Sequence, residues 1–247
     1  MTHLRDGARA VRSTPVRDEP SGCPVLVVDP DYYARAGLRL LISRDSRTRV
    51  WGVASDLGEI RACGGDSPEA GVPCVTLLAT SVAPGGDLEN AVSTLLRDLH
   101  GTRVLLLVSG TEEWLKPGIV HLVSGIVDRD ECAELLPLAL FGVCRGEYVV
   151  TKTVLDRVPP GVIPEGHPMV HLRVLPPCPP WSDLSDAMRR TAYLYCVYGL
   201  SAAEVARELS VSPNTITWRI KRLYQQLGVK NRQDAYAALF AQSSDGE

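Results

Sequence analysis

The run Ser201-Ala-Ala-Glu204-Val-Ala-Arg-Glu-Leu209-Ser-Val211-Ser212-Pro213-Asn-Thr215-Ile216-Thr-Trp218-Arg-Ile220-Lys221-Arg222-Leu223-Tyr-Gln-Gln-Leu227-Gly228-Val229 reads as helix, tight turn, helix. Ser201 with Glu204 three residues on is a capping box, in which hydroxyl and carboxylate satisfy backbone N–H groups left free at a helix start. Ser212 followed by Pro213 is the second start signal, since a missing N–H costs nothing at the first helical position. Only Ser210 and Val211 separate the two helices.

On the second helix, Ile216, Ile220, Leu223 and Leu227 fall on one stripe that must face a core. The opposite face carries Asn214, Trp218, Lys221, Arg222 and Gln225, with Thr217 on its flank. Between Ser212 and Arg232 there are five cations (Arg219, Lys221, Arg222, Lys230, Arg232) and no acid. Phosphate backbones reward such a helix, and amide, hydroxyl and cationic side chains read base edges in a major groove.

These residues resemble the DNA-binding domain of LuxR/NarL-type (GerE-like) regulators. Gly199-Leu-Ser201, Glu204-Val-Ala206, Leu209, Ser212, Thr215-Ile216, Leu223, Leu227-Gly228-Val229 and Asn231-Arg232 stand in that family's order. The resemblance covers roughly residues 185–240. It implies that Thr217, Trp218 and Lys221 enter the groove, and that the last helix pairs two such domains. Asn231 caps that helix, whose Tyr236, Leu239 and Phe240 form an apolar stripe and are the dimer-contact candidates; packing within one chain is the alternative. Met188-Arg189 stands where the family usually has Arg-Glu, and Arg219 where a His is common, so base preference does not carry over.

Upstream, from Pro24, short apolar runs alternate with amphipathic stretches, the signature of a parallel sheet covered on both faces. Strands are expected at Val25–Val28, Arg49–Val53, Val75–Ala79, Val104–Val108 and Gly125–Val127. Helices are expected at Tyr33–Ile42, after a Ser55 or Asp56 cap, at Leu88–Leu99 and at Glu131–Val143. Five strands with their helices make an α/β flavodoxin-like domain. This order, Asp29-Pro-Asp31 through Arg35 and Gly37, Pro84-Gly85-x-Asp87 and Ser109 resemble the receiver domain of NarL-family response regulators.

The resemblance implies a phosphoacceptor carboxylate after the third strand, an acid pair after the first and a lysine after the fifth. Here those positions read Thr80, Asp29-Pro30 and Arg129, with Asp31 displaced by one. A hydroxyl cannot form an acyl phosphate, and one carboxylate is a poor Mg²⁺ site. The expectation is a phosphorylation-independent domain whose crevice, lined by Asp29, Asp31, Thr80, Ser109 and Arg129, is filled or converted to a small-molecule or protein ligand site. Pro117, in Lys116-Pro117-Gly118, is expected to break the helix between the fourth and fifth strands.

The chain divides into a disordered tail (1–22), a receiver-like domain (23–157), a Pro-rich linker (158–181) and the small all-α helix-turn-helix domain (182–247). Net charge is −3 over 247 residues, so cationic character is local to one helix. Arg outnumbers Lys 22 to 4, the habit of a GC-rich bacterial genome. Seven cysteines without a C-x-x-C pair suggest buried free thiols in a reducing cytosol, and His167/His171 around Pro168 make no metal site. No apolar run spans a bilayer and no signal segment precedes the first strand, so a cytoplasmic location is expected. No cofactor or metal is expected. Absence of phosphate-binding loops and nucleophile elbows argues against an enzyme. The resulting expectation is a transcriptional regulator binding a pseudo-palindromic operator in double-stranded DNA as a homodimer, reading bases with Asn214, Thr217, Trp218 and Lys221. Arg219, Arg222, Lys230 and Arg232 remain for phosphates or local packing. The rival is a ligand-sensing or protein-interaction module in which DNA binding is secondary.

Overall fold

The computed structural model describes residues 22–60, 73–83, 87–110, 117–158, 162, 169–174 and 180–240. The tail read as disordered and most of the Pro-rich stretch lie outside them. The described residues form a parallel sheet of seven strands: β1 (Cys23–Val28), β2 (Thr48–Ala54), β3 (Val75–Ala79), β4 (Arg103–Val108), β5 (Gly125–Asp128), β6 (Tyr148–Thr151) and β7 (Met169–Leu172). Their order is β2-β1-β3-β4-β5-β6-β7. The helices of this part are α1 (Tyr32–Ser43), α2 (Leu88–Asp98), α3 (Pro117–Leu122), α4 (Cys132–Cys144) and α5 (Lys152–Arg157).

The first five strands stand where the sequence places them, because runs such as Val25–Val28 and Leu105–Leu107 bury both faces and carry no polar alternation. β6 and β7 extend the sheet beyond the five expected, and β7 falls inside the stretch read as linker. Each is four residues long, and β7 is short and hemmed by prolines, so periodicity carries little signal there. Gly125 permits the β5–β6 approach: a Cβ there would stand 2.5 Å from the Val149 carbonyl oxygen. Pro117 opens α3 at its first residue, where its missing N–H costs nothing, and residues 111–116 before it lie outside those described.

Alternate strand residues feed two cores. Leu26, Val28, Leu78, Leu106 and Val150 pack with α2 and α3 on one face. Val25, Val27, Leu77, Leu105 and Val149 pack with α1 and α4 on the other, and that cluster runs on without a break through Trp181 and Leu184 into the C-terminal helices. α4 is therefore apolar nearly all round, since Leu135, Leu136, Ala139, Leu140 and Val143 are all buried there.

The C-terminal helices are α6 (Asp186–Ala192), continued by a π-helical segment Tyr193–Val197, then α7 (Ala202–Glu208), α8 (Pro213–Leu227) and α9 (Arg232–Phe240). The capping box forms as expected, with the Ser201 hydroxyl accepting from the Glu204 N–H and the Glu204 carboxylate accepting from the Ser201 N–H. Between α7 and α8, Ser210 takes a left-handed φ of 51°, which lets the chain turn within so few residues. Gly228 ends α8 at φ 67°, the left-handed cap that glycine adopts without a Cβ penalty. Among the described residues no helix is long and apolar enough to cross a membrane.

Among the described residues, two ion pairs bridge the sheet part and the C-terminal helices: Arg47 with Glu208 at 3.2 Å and Arg145 with Glu204 at 3.4 Å. Tyr198 inserts beside Gly142 of α4, donates its hydroxyl to Glu147 and rests against Phe141 with ring centroids 5.6 Å apart. The structure also corrects the cysteine reading. Cys23 and Cys144 are joined as a disulfide, while Cys74, Cys132 and Cys196 are free.

Candidate DNA-binding surface and receiver-like crevice

Ser212 anchors α8, its hydroxyl accepting from the Thr215 N–H at 3.2 Å. Ile216, Ile220 and Leu223 are buried, so the polar face is turned to solvent by their packing. Trp218 is 57% exposed, an unusual position for an indole unless something covers it when bound. The Arg222 guanidinium lies 5.5 Å from its ring centroid, holding the indole by a cation–π contact. Asn214, Thr217, Lys221 and Lys230 are exposed as well. The Thr217 hydroxyl donates back to the Pro213 carbonyl at 3.0 Å.

Arg219 and Arg232 part from this set. Arg219 reaches Thr191 of α6 at 3.4 Å, and the Arg232 guanidinium stacks 4.6 Å from the Tyr195 ring centroid. Both are half-buried and tie the helices together, the local-packing option left open by the sequence. Of the dimer-contact candidates, Leu239 and Phe240 are buried within the chain, Phe240 against Trp181 at 5.6 Å. Tyr236 alone of the three is exposed, so the apolar stripe is mainly core and not a free pairing face.

At the carboxyl ends of the strands, where doubly wound sheets place ligands, the five crevice candidates divide. Asp29 is fully buried. Its Oδ2 accepts from the Arg129 guanidinium at 2.5 Å and its Oδ1 from the Asp31 N–H at 2.9 Å. Arg129 thus reaches across the crevice and neutralises the carboxylate. Asp31 points away: its Oδ1 caps α1, accepting from the N–H groups of Tyr33 and Ala34 at 2.8 and 3.1 Å. Those backbone donors, Ala34 and then Tyr33, hold its carboxyl below the ordinary range. The cap therefore contributes above the ordinary carboxylate range and fades as pH falls through the lowered value. Thr80, half-buried, begins a 3-10 turn at the end of β3, and Ser109 is exposed after β4.

Two residues that the sequence reading passed over complete the crevice. Arg35 donates to the Asp29 and Pro30 carbonyls at 2.5 and 2.9 Å. Asp128, at the end of β5, is buried and paired with Arg157 at 3.0 Å. Arg157 has no sequence signal, because it lies on a short helix at the very end of the expected domain, 29 residues from its partner. Between the sheet part and the C-terminal helices there is also a groove of about 970 Å³, lined among others by Leu41, Arg47, Leu138, Trp181, Arg190 and Glu208.

Residues 192–239 match the family described as bacterial regulatory proteins, luxR family. Over 229 residues the chain is 27% identical to the probable transcriptional regulatory protein NarL of Mycobacterium tuberculosis, covering 91% of this chain and 96% of that protein. The probable transcriptional regulatory protein SgaR of Hyphomicrobium methylovorum is 24% identical over 216 residues, covering 86% and 90%. A structure of the Salmonella typhimurium RcsB response regulator aligns over 90% of this chain and 99% of its own at 17% identity, with a TM-score of 0.46. The capped helix pair, the exposed face of α8 and the match at 192–239 together make the C-terminal part a luxR-family DNA-binding helix-turn-helix that follows a receiver-like α/β domain, the arrangement of a transcriptional regulator.

Proposed function

We propose that the chain binds a pseudo-palindromic operator as a homodimer, lays α8 in the major groove and does so without aspartyl phosphorylation. The observation that carries the first part is the acid-free outer face of α8, with Asn214, Thr217, Trp218 and Lys221 presented together to solvent. Arg222 and Lys230 flank that face as phosphate partners. Support for the second part is chemical. Thr80 offers a hydroxyl where an acyl phosphate would need a carboxylate, and Asp29 has both oxygens engaged, one by the Arg129 guanidinium. A cation already bound to the buried carboxylate opposes entry of Mg²⁺.

The test is to incubate the full chain with Mg²⁺ and a small phosphodonor such as acetyl phosphate, then record intact mass and operator affinity. The expected result is no phosphate added and the same affinity with and without donor. A mass gain of one phosphate together with donor-dependent binding would contradict the proposal and make one of the remaining acids the acceptor. The groove against Trp181 and Arg190 favours a second reading, a small-molecule sensor. A ligand that raises the melting temperature of the wild-type chain but not of a groove variant would support it.

A further inference from the structure

Burial pushes the Cys132 thiol up to about 12 and the Cys196 thiol up to about 11, so these two behave as small apolar core residues. The other three described cysteines differ. Cys23 opens β1, Cys74 immediately precedes β3 and Cys144 ends α4, so three separate elements bring them to the amino-terminal edge of the sheet. All three are half-buried, and their sulfurs lie within 4.8 Å of one another. A disulfide between Cys23 and Cys144 needs no third sulfur, yet Cys74 stands beside both. The Arg103 guanidinium donates to Cys74 Sγ at 3.8 Å, a cation placed where sulfur-borne negative charge would gather. Backbone bonds fix the frame: Cys23 N–H donates to the Arg47 carbonyl at 2.7 Å and Cys74 N–H to the Pro24 carbonyl at 2.8 Å.

We propose that, with the disulfide reduced, Cys23, Cys74 and Cys144 form a trithiolate site for a soft, thiophilic metal ion of the copper(I) class, whose occupancy is felt at α7. Soft thiolates select such ions. Three sulfurs complete a trigonal copper(I) set, whereas zinc(II) would keep a fourth position open to water. A phosphine or thiol reductant supplies the two electrons that open the disulfide. Each thiol then loses its proton as its metal–sulfur bond forms. The route to α7 is short. Cys23 is hydrogen-bonded to Arg47, which pairs with Glu208, and Cys144 precedes Arg145, which pairs with Glu204. Drawing the sulfurs onto one ion fixes both ends of the surface that holds the DNA-binding helices.

The experiment takes the full-length chain, reduced and desalted without oxygen, and titrates it with copper(I) against bicinchoninate. One ion per chain is expected, with ultraviolet thiolate-to-copper absorption. Cys74→Ser should weaken binding by more than about 100-fold, beyond the loss an outer-shell change gives, and Cys132→Ser should leave it unchanged. In wild type, the ion should shield Cys23, Cys74 and Cys144 from alkylation, which reads the site without any substitution. Shielding of other cysteines, or copper affinity unmoved by Cys74→Ser, would overturn the site. Hydrogen exchange at residues 202–208 should slow on loading; unchanged exchange there would overturn the link to α7. None of these readouts involves DNA, so they stand or fall apart from operator binding.

Discussion

Trp181→Ala lowers the free energy of unfolding by about 3–5 kcal/mol, the range for truncating a large buried aromatic. Trp181 is 1% exposed and belongs to the cluster that continues from the sheet into the C-terminal helices, where its ring meets Phe240. Its loss opens a cavity at the seam between the two parts, and the seam cannot close over it because α4 and α9 are held by their own packing. The indole Nε1 is buried without a hydrogen-bond partner among the described residues. A stranded N–H carries a desolvation cost. Trp181→Phe removes that group while keeping an aromatic ring, so it should recover most of the stability lost by alanine. Urea unfolding of the three proteins checks both points. A loss below about 1 kcal/mol for Trp181→Ala would mean that the seam is not a packed core.

Lys221→Ala weakens operator binding by about 1–3 kcal/mol, roughly 5- to 150-fold, and relaxes sequence preference at the base it reads. Lys221 is exposed on the same face as Asn214, Thr217 and Trp218, and Ile220 beside it is buried, so its direction is fixed by the helix. Lys230 lies beyond the end of α8, past the Gly228 cap, and should behave as a phosphate contact. Lys230→Ala is therefore expected to weaken binding alike on all sequences and to reduce the salt slope by about 1. Titrations of both variants on operator and unrelated duplex distinguish the two roles. Unchanged affinity and preference for Lys221→Ala would remove that residue from the readout.

The sequence announced the helix pair because its signals are local. A cap at Ser201, a cap and proline at Ser212–Pro213 and a glycine at 228 each act within a few residues. The first five strands are legible for a similar reason, since four of them, β1, β3, β4 and β5, are interior strands and nearly unbroken apolar runs. What escapes is set by distance in the chain. The resemblance brings Asp29 and Arg129 to one crevice, but nothing local marks their direct pairing across 100 residues, and Arg157 meets Asp128 from 29 residues away with no such guide. Cys144 joins Cys23 across 121 residues, with none of the short spacing that marks a cysteine site. The stripe Tyr236, Leu239, Phe240 is legible in the sequence, but periodicity cannot say whether the surface it meets belongs to the same chain. Trp181 and the buried seam supply that surface here.

The proposed function turns most directly on α8 reading base edges in duplex DNA. The direct measurement is selection from a random duplex pool with the purified, untreated full-length chain, followed by the same selection with a Trp218→Ala, Lys221→Ala double variant. The expected result is a recovered motif of two inverted half-sites about one helical turn, roughly 10 base pairs, apart, bound in a salt-dependent way, and a motif degraded by the double substitution. Recovery of no motif from the untreated chain, or of the same motif from the double variant, would contradict it.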